Sequence, residues 1–324
     1  AGPESAGASP GPVCYDAGGE NPTITDANVI LGYINPDHLV GGAVKLNKEK
    51  AISVFTRKIA EPLGLSLEDA AHGAHLISAS NMIRAIKAVS TERGRNPRNY
   101  SLFAFGGNGP LFAAGMADAI GIKQVIVPPS PGLFSSFGLL YADVEHHYSR
   151  TFRRLLTDAD PQELTTAWEG LAKEALDELN KEGFSGASAV IERSASLHYK
   201  GQIYELSVPA PSGNFDSKKL AELAENFGQE HEVVYGHRAG PEEPVELVNI
   251  AVIGRGIPDS SRVPEKLYAE EALTPVANSR KAYFGKSYGW IETAVVARAD
   301  LQQKRIGPAI VEEYDATCII KKKA

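Results

Sequence analysis

Residues Gly106, Gly107, Asn108, Gly109 and Pro110 place three glycines within four positions, between an apolar run at 102–105 and a helix-like run at 111–119. Glycine has no Cβ, so a ligand can lie flat on backbone of this kind. The free N–H groups at the start of the following helix, with its positive dipole end, suit an anion or a polar ring edge. The layout is that of a nucleotide pocket and makes ATP the first ligand to test; the alternative is a plain strand-to-helix turn. Asp26, in Thr25-Asp26-Ala27-Asn28, is the candidate catalytic carboxylate, holding Mg2+ through water or acting as a base. Its alternative is a helix cap, since Thr25 and Asp26 are both good N-cap residues. His72 and His75 share one helix face but have no carboxylate beside them, so a structural role outweighs a metal site. His146 and His147 point to opposite faces of a strand and cannot hold one ion, with Asp143 nearby. Glu4 and Ser5 lie in a glycine-rich loop, and Ser5 has no neighbouring His to activate it.

The elements that position these residues follow from periodicity and punctuation. Residues 1–24 read as loop, broken by Gly2-Pro3, Pro10-Gly11-Pro12 and Gly18-Gly19. A short helix starts at Thr25-Asp26 and ends near Gly32. Residues 48–59 are helical, and Ser66 caps a long helix with Asp69 as its capping-box partner. Strands at 102–105 and 124–127, joined by the helix after the glycine turn, form a parallel pair in an α/β sheet. Residues 132–140 read as helix and 143–155 as a strand leaving this domain. Beyond it, 161–183 form an amphipathic helix with Leu164, Trp168, Leu171, Ala175 and Leu179 on one stripe. Strands are expected at 187–199, 203–208, 245–253, 290–298, 308–312 and 317–320, with a helix at 218–232. Residues 257–280 read as a long surface connection. In the hairpin, Tyr199, Lys200, Gly201, Gln202 and Glu205 read as a turn with its own hydrogen bonds, with a contact surface as the sharper alternative.

The chain has 324 residues, enough for two domains. It is 43% apolar and 23% charged with net charge −7, which argues against nucleic acid as a main partner. No apolar stretch approaches the roughly 20 residues a membrane span needs. Cys14 and Cys318 form no CxxC pair, which suits a reducing cytoplasm. Both ends read as cut from something longer, and Lys321-Lys322-Lys323 reads as a solvated tail.

Several blocks, in order, resemble the hydantoinase A / 5-oxoprolinase family. They are Gly2-Pro3-Glu4-Ser5-Ala6-Gly7-Ala8 with Pro10-Gly11-Pro12, Pro22-Thr23-Ile24-Thr25-Asp26-Ala27-Asn28, and Ala104-Phe105-Gly106-Gly107-Asn108-Gly109-Pro110-Leu111. Val125-Ile126-Val127-Pro128-Pro129, Tyr199-Lys200-Gly201-Gln202 with Glu205-Leu206, and Gly307-Pro308-Ala309-Ile310 with Glu312-Glu313 complete the set. The resemblance implies an α/β fold. Residues 1–148 would be the C-terminal part of an actin-like (ribonuclease H-like) ATPase lobe, and 149–324 an α+β, strand-rich domain. It implies ATP-dependent opening of a cyclic amide such as hydantoin, N-methylhydantoin or 5-oxoproline, with a carbonyl-derived oxygen phosphorylated and Mg2+ across the phosphates. In that reading residues Gly106 to Pro110 are the adenosine segment, and a hydantoinase B-type subunit is the partner within an oligomer. The rivals are the acetone-type carboxylase branch, acting on a ketone with bicarbonate, and a non-catalytic assembly module. The chain departs from the family in two ways. Its N-terminal phosphate loop, Asp-x-Gly-Gly-Thr, and a second such loop are absent, so little activity is expected of this chain alone. Phe112 also stands where the family often has His.

Overall fold

The computed structural model describes residues 4–322 apart from 38, 40, 41, 241, 259–277 and 302. These residues divide into two compact units, one drawn from Ala1–Ser90, Asn96–Leu139 and Glu265–Ala324, the other from Thr91–Arg95 and Leu140–Pro264.

The first unit opens with loop and a 3-10 turn at Val13–Tyr15, then α1 (Ile24–Ile30). Thr23, not Thr25, is the N-cap, because only the Thr23/Asp26 spacing closes a reciprocal capping box. The chain then turns at Gly32 (φ +73), where a Cβ would sit 2.2 Å from the Lys281 carbonyl oxygen, so only glycine fits. Asn47 caps α2 (Lys48–Phe55), which runs through a π-helical turn into the short α3 (Glu61–Leu63). Ser66 caps α4 (Leu67–Val89), accepting from Asp69 N at 3.1 Å. β1 (Leu102–Phe103), α5 (Gly109–Ile120) and β2 (Val125–Ile126) follow, and β1 and β2 pair in parallel as expected of a strand–helix–strand crossover. α6 (Phe134–Leu139) comes next. The core of this unit joins Val29, Leu31, Phe55, Ala71, Leu111, Phe112 and Met116.

The second unit is a four-stranded sheet with helices on it. β3 (Val144–Leu155), α7 (Pro161–Lys181), β4 (Ala189–Tyr199), β5 (Leu206–Pro209), α8 (Ser217–Tyr235) and β6 (Val245–Gly256) occur in that order along the chain. The strand order is β3-β6-β4-β5, antiparallel throughout. The expected stripe of α7 is the buried one: Leu164, Trp168, Ala175 and Leu179 are fully enclosed, and Trp168 stacks on Phe215 at 4.5 Å. Enclosing each large apolar side chain contributes about 2–3 kcal/mol. Helix α7 lies so close to β6 that a Cβ on Gly254 would stand 2.8 Å from the Cβ of Ala175.

The chain then returns to the first unit. β7 (Ser279–Tyr283), β8 (Trp290–Ala297), β9 (Ala309–Glu312) and β10 (Thr317–Ile320) form a mixed sheet in the order β10-β9-β8-β7. These strands, read from sequence as part of a 149–324 domain, pack with the first unit: Ala282, Val295, Ile310 and Ile319 join its core. Most of the expected 257–280 connection lies outside the described residues, but 279–283 is strand. Its charged Ser279-Arg280-Lys281 start hides a strand whose guanidinium is satisfied internally. Arg280 donates to the carbonyls of Gly32 (2.7 Å) and Tyr33 (2.6 Å) and pairs with Glu312. The α/β character and strand-rich second half expected from sequence are both present.

Gly254→Val tests the helix–sheet contact of the second unit. Overpacking against Ala175 should lower stability by about 1–3 kcal/mol, read as a fall in urea midpoint with unchanged slope.

Candidate functional site: an open glycine turn

β1 and β2 bring the glycine turn to the end of a parallel pair, with Ala104 N donating to Ile126 O at 2.8 Å. After buried Ala104 the chain leaves the sheet. Gly106 adopts φ +83, and its N–H donates to Pro131 O at 2.6 Å. Gly109 N closes back on Gly106 O at 3.2 Å. Asn108 is the N-cap of α5, yet its side chain makes no cap bond. Pro110 sits buried in the first helical turn, where an N–H is not needed. Among the described residues, the N–H groups of Gly107 and Asn108 have no acceptor, and both residues are exposed. They stand at the positive end of a 12-residue helix.

The glycines differ in what the fold asks of them. Gly106 needs glycine for its backbone angle, although a Cβ there would meet nothing within 4 Å. Gly107 has no such need: it has no positive φ, and the first atom a Cβ would meet is Asp315 O at 3.7 Å, an ordinary contact. The fold therefore tolerates a Cβ at 107, and the space a Cβ would take at 106 is empty. Beside it the rings of Phe103, Phe105 and Phe134 lie 5.3–6.0 Å apart, with Phe103 43% and Phe105 45% exposed. This is apolar surface on which a planar ring can rest.

Charged side chains from the end of β8 and the β9–β10 turn fix the segment that follows β2. The Arg298 guanidinium meets Glu313 through Nε and Nη2, both at 2.6 Å, and donates to the carbonyls of Val127 (3.2 Å) and Pro128 (3.0 Å) at the exit of β2. Glu313 pushes the Arg298 pKa further above its usual value through this bidentate bond. Asp315, in the same β9–β10 turn, accepts from Leu133 N at 3.0 Å. Its backbone lies so near Gly132 that a Cβ there would be 2.5 Å from Asp315 O. Sequence reasoning missed Arg298, Glu313 and Asp315. The Glu312-Glu313 block was visible, but nothing local linked it to residues 127–133.

Asp26 sits elsewhere in this unit and is fully buried. Its carboxylate accepts from Val13 N (3.2 Å), Cys14 N (2.7 Å), Thr23 N (2.7 Å) and Thr23 Oγ1 (2.8 Å). Those bonds saturate it and pin the 3-10 turn at Val13 to the start of α1. The geometry thus gives Asp26 the structural role and offers no path for a substrate. Burial, then Asp26, pushes the Cys14 thiol pKa far up, so Cys14 is an inert core residue.

His75 is 8% exposed, and its Nδ1 lies 2.9 Å from Asn28 Oδ1. Its ring stacks on buried Phe112 at 4.2 Å. Burial first, then His72 and Lys321, lower its pKa to about 4. In the second unit His146 pairs with Glu182 at 2.9 Å and His147 with Glu145 at 3.1 Å, on opposite strand faces, while Asp143 lies 3.9 Å from Arg255. Tyr199 is buried, its hydroxyl accepting from Ala239 N at 3.2 Å, and Gln202 N bonds Tyr199 O at 2.9 Å. Glu205 lies 3.4 Å from Asn249. Glu4 and Ser5 are exposed, and Ser5 Oγ accepts from Gly7 N. Among the described residues no group of three or more His, Cys, Asp or Glu is placed to hold a metal, and no helix is long and apolar enough to cross a membrane.

Comparison with known proteins matches the hydantoinase/oxoprolinase profile to residues 1–148 and the hydantoinase/oxoprolinase C-terminal domain profile to residues 156–324. An uncharacterized protein of Methanocaldococcus jannaschii is 41% identical over 98% of this chain and 45% of its own length. The caprolactamase alpha subunit of Pseudomonas jessenii is 36% identical over 98% of this chain and 47% of its own. The crystal structure of that organism's ATP-dependent caprolactamase superposes with TM-score 0.80 at 34% identity, covering 99% of this chain and 47% of that one. The acetone carboxylase beta subunit of Xanthobacter autotrophicus is 30% identical over 98% of this chain and 46% of its own. The chain spans about half the length of these relatives.

Two outcomes test the buried polar groups. Asp26→Asn turns an N–H group toward backbone donors and should cost about 1.5–3 kcal/mol of stability, read by chemical denaturation. For His75, the unfolded value of 6.5 exceeds the folded value of about 4, so the unfolded chain takes up the proton first as pH falls. The stability that neutral His75 contributes is complete above pH 6.5 and is lost down to about pH 4, a difference of about 3 kcal/mol. His75→Phe, which keeps a ring against Phe112, should remove that portion of the pH dependence in urea titrations across this range.

Proposed function

The chain belongs to the hydantoinase/oxoprolinase family, and on that premise we propose that it supplies the adenosine-binding part of an ATP-dependent cyclic-amide hydrolase. The observation that carries this reading is the turn at Gly107 and Asn108: two exposed N–H groups without acceptors, on backbone that folding leaves bare, beside exposed rings. Gly106 gives the bend, Gly107 the flat surface, and Asn108 and Gly109 the start of α5. Purine and ribose would rest on Gly106, Gly107, Asn108, Gly109 and Pro110. Arg298, Glu313 and Asp315 act as positioning residues, fixing the turn from behind.

In this reading ATP transfers its terminal phosphoryl group to the oxygen of a ring carbonyl and leaves as ADP. Water adds to the activated carbon, the C–N bond breaks with a proton going to nitrogen, and a second water releases phosphate from the resulting acyl phosphate. The substrate class is a cyclic amide: a hydantoin, N-methylhydantoin, 5-oxoproline or related lactam. A caprolactamase alpha subunit and an ATP-dependent caprolactamase structure among the relatives support that class. Mg2+ across the ATP phosphates belongs to the same proposal, which needs no cluster of protein ligands because that ion is held largely by phosphate oxygens and water. Relatives named as subunits support a partner subunit, for which a hydantoinase B-type chain is proposed. The identity to an acetone carboxylase beta subunit supports one rival, ATP-driven carboxylation of a ketone.

The two reactions separate in one assay. With the full-length protein and its partner, ATP hydrolysis should rise with hydantoins, 5-oxoproline or lactams; a rise only with ketone plus bicarbonate would move the protein to the carboxylase branch. The site itself is tested by Gly107→Val. The fold tolerates a Cβ there, so the melting temperature should hold while ATP affinity falls about tenfold or more, the cost of about 1–3 kcal/mol expected for crowding a packed contact. Unchanged affinity in a folded variant removes the adenosine role.

A further inference from the structure

The first unit holds a second hollow that the nucleotide reading does not use. It is a cleft of about 530 Å3 between α4, α5 and the residues just after β10. None of Gly106 to Pro110 lines it. That volume suits a small molecule. Its floor is apolar, made of the buried side chains Tyr33, Leu111 and Ile319.

Two kinds of polar group converge on this floor. The first is His75, more than nine-tenths buried. Its Nδ1 is committed to Asn28 Oδ1, and Asn28 does not line the cleft. The tautomer that satisfies the Asn28 carbonyl carries its hydrogen on Nδ1 and leaves Nε2 its lone pair. Nε2 has no hydrogen-bond partner among the described residues. Phe112, stacked at 4.2 Å, and Tyr33, edge-on at 5.3 Å, hold the ring in place.

The second is charge at the mouth, from Lys321, Lys322 and Asp118. Lys321 Nζ lies 3.0 Å from Asp118 Oδ2, but the two side chains are 40% and 71% exposed. A pair so wet contributes little and gives way to a better partner. Lys322 Nζ stands 5.6 Å over the Tyr288 ring. Two cations against one anion leave the mouth positive. The positive field reaches inward, since Lys321, after burial, is among the causes that lower the pKa of both His72 and His75. A metal ion is a poor fit, because among the described residues the two histidines have no third donor placed to join them.

We propose that this cleft binds a small carboxylate that also carries an O–H or N–H donor. The carboxylate meets Lys321 and Lys322, the donor reaches the bare Nε2 of His75, and the apolar remainder lies on Tyr33, Leu111 and Ile319. Each requirement excludes a class. A neutral alcohol gains nothing at the mouth. A plain carboxylate leaves the buried nitrogen unpartnered, and a large polyanion meets Asp118.

A matched trio of probes tests this by calorimetry: mandelate carries all three features, phenylacetate lacks the hydroxyl, and phenylethanediol lacks the charge. Mandelate should bind about tenfold tighter than either control, the worth of one charge-assisted or buried hydrogen bond. The double variant Lys321→Gln, Lys322→Gln should erase the preference over the diol. His75→Phe should erase the preference over phenylacetate. Saturating mandelate, but not phenylacetate, should also move the His75 Nε2 resonance followed by nitrogen NMR in the unsubstituted protein, a readout that stands even if His75→Phe does not fold. Equal or absent binding of the three probes, or mandelate binding that survives both variants, overturns the proposal. Because the cleft shares no residue with the glycine turn, loss of ATP binding in Gly107→Val leaves this result untouched.

Discussion

One guanidinium sets the position of the candidate site. Arg298 meets both oxygens of Glu313 and, through its remaining hydrogens, the two carbonyls at which β2 ends. Carbonyls at the end of a two-residue strand have no ladder to satisfy them, and leaving them unpaired inside a protein is costly. Arg298 answers that need with a planar, permanently charged fork. Asp315 completes the arrangement from the same turn as Glu313 by taking the N–H of Leu133. The backbone of Asp315 also lies within reach of Gly107, so the open turn stands against a segment fixed in this way.

The same unit encloses several polar groups. Asp26 and Asn28 are both fully buried on α1, and the latter reaches His75 on α4. Arg280 bonds two carbonyls beyond α1 and Glu312 on β9. These bonds join segments far apart along the chain. They specify one arrangement of helices more sharply than interchangeable apolar contacts do. A family motif that reads as chemistry, Thr25-Asp26-Ala27-Asn28, is here the hub of that internal wiring.

Local pattern made much of this legible in the sequence. The stripe of α7 repeats at helical spacing. The strand–glycine–helix succession fixed β1, the turn and α5 within a residue or two. Ser66 announced α4. What stayed hidden was long-range. β7 opens with Ser279-Arg280-Lys281, which looks solvated until Glu312 and the carbonyls near Gly32 are brought to it. Arg298 and Val127 are 171 residues apart, and no periodicity couples them. The N-cap lay two residues earlier than Thr25 because Thr23 alone can trade hydrogen bonds with Asp26. The exposure of Phe103 and Phe105 was equally invisible, since an apolar run reads as interior whether or not anything covers it.

The return of β7–β10 to the first unit has a consequence for synthesis on the ribosome. Helices α4 and α5 leave the exit tunnel long before β10, which packs on α5. At about 5–20 residues per second, the 140 residues between positions 139 and 279 take about 7–28 s to emerge. During that wait Leu111 and its neighbours lack the strand that carries Ile319. The second unit, whose strands follow one another between 144 and 256, can close first. Nascent chains of this protein therefore spend their most vulnerable interval with a finished domain downstream and an unfinished one upstream, the situation in which a chaperone has most to do.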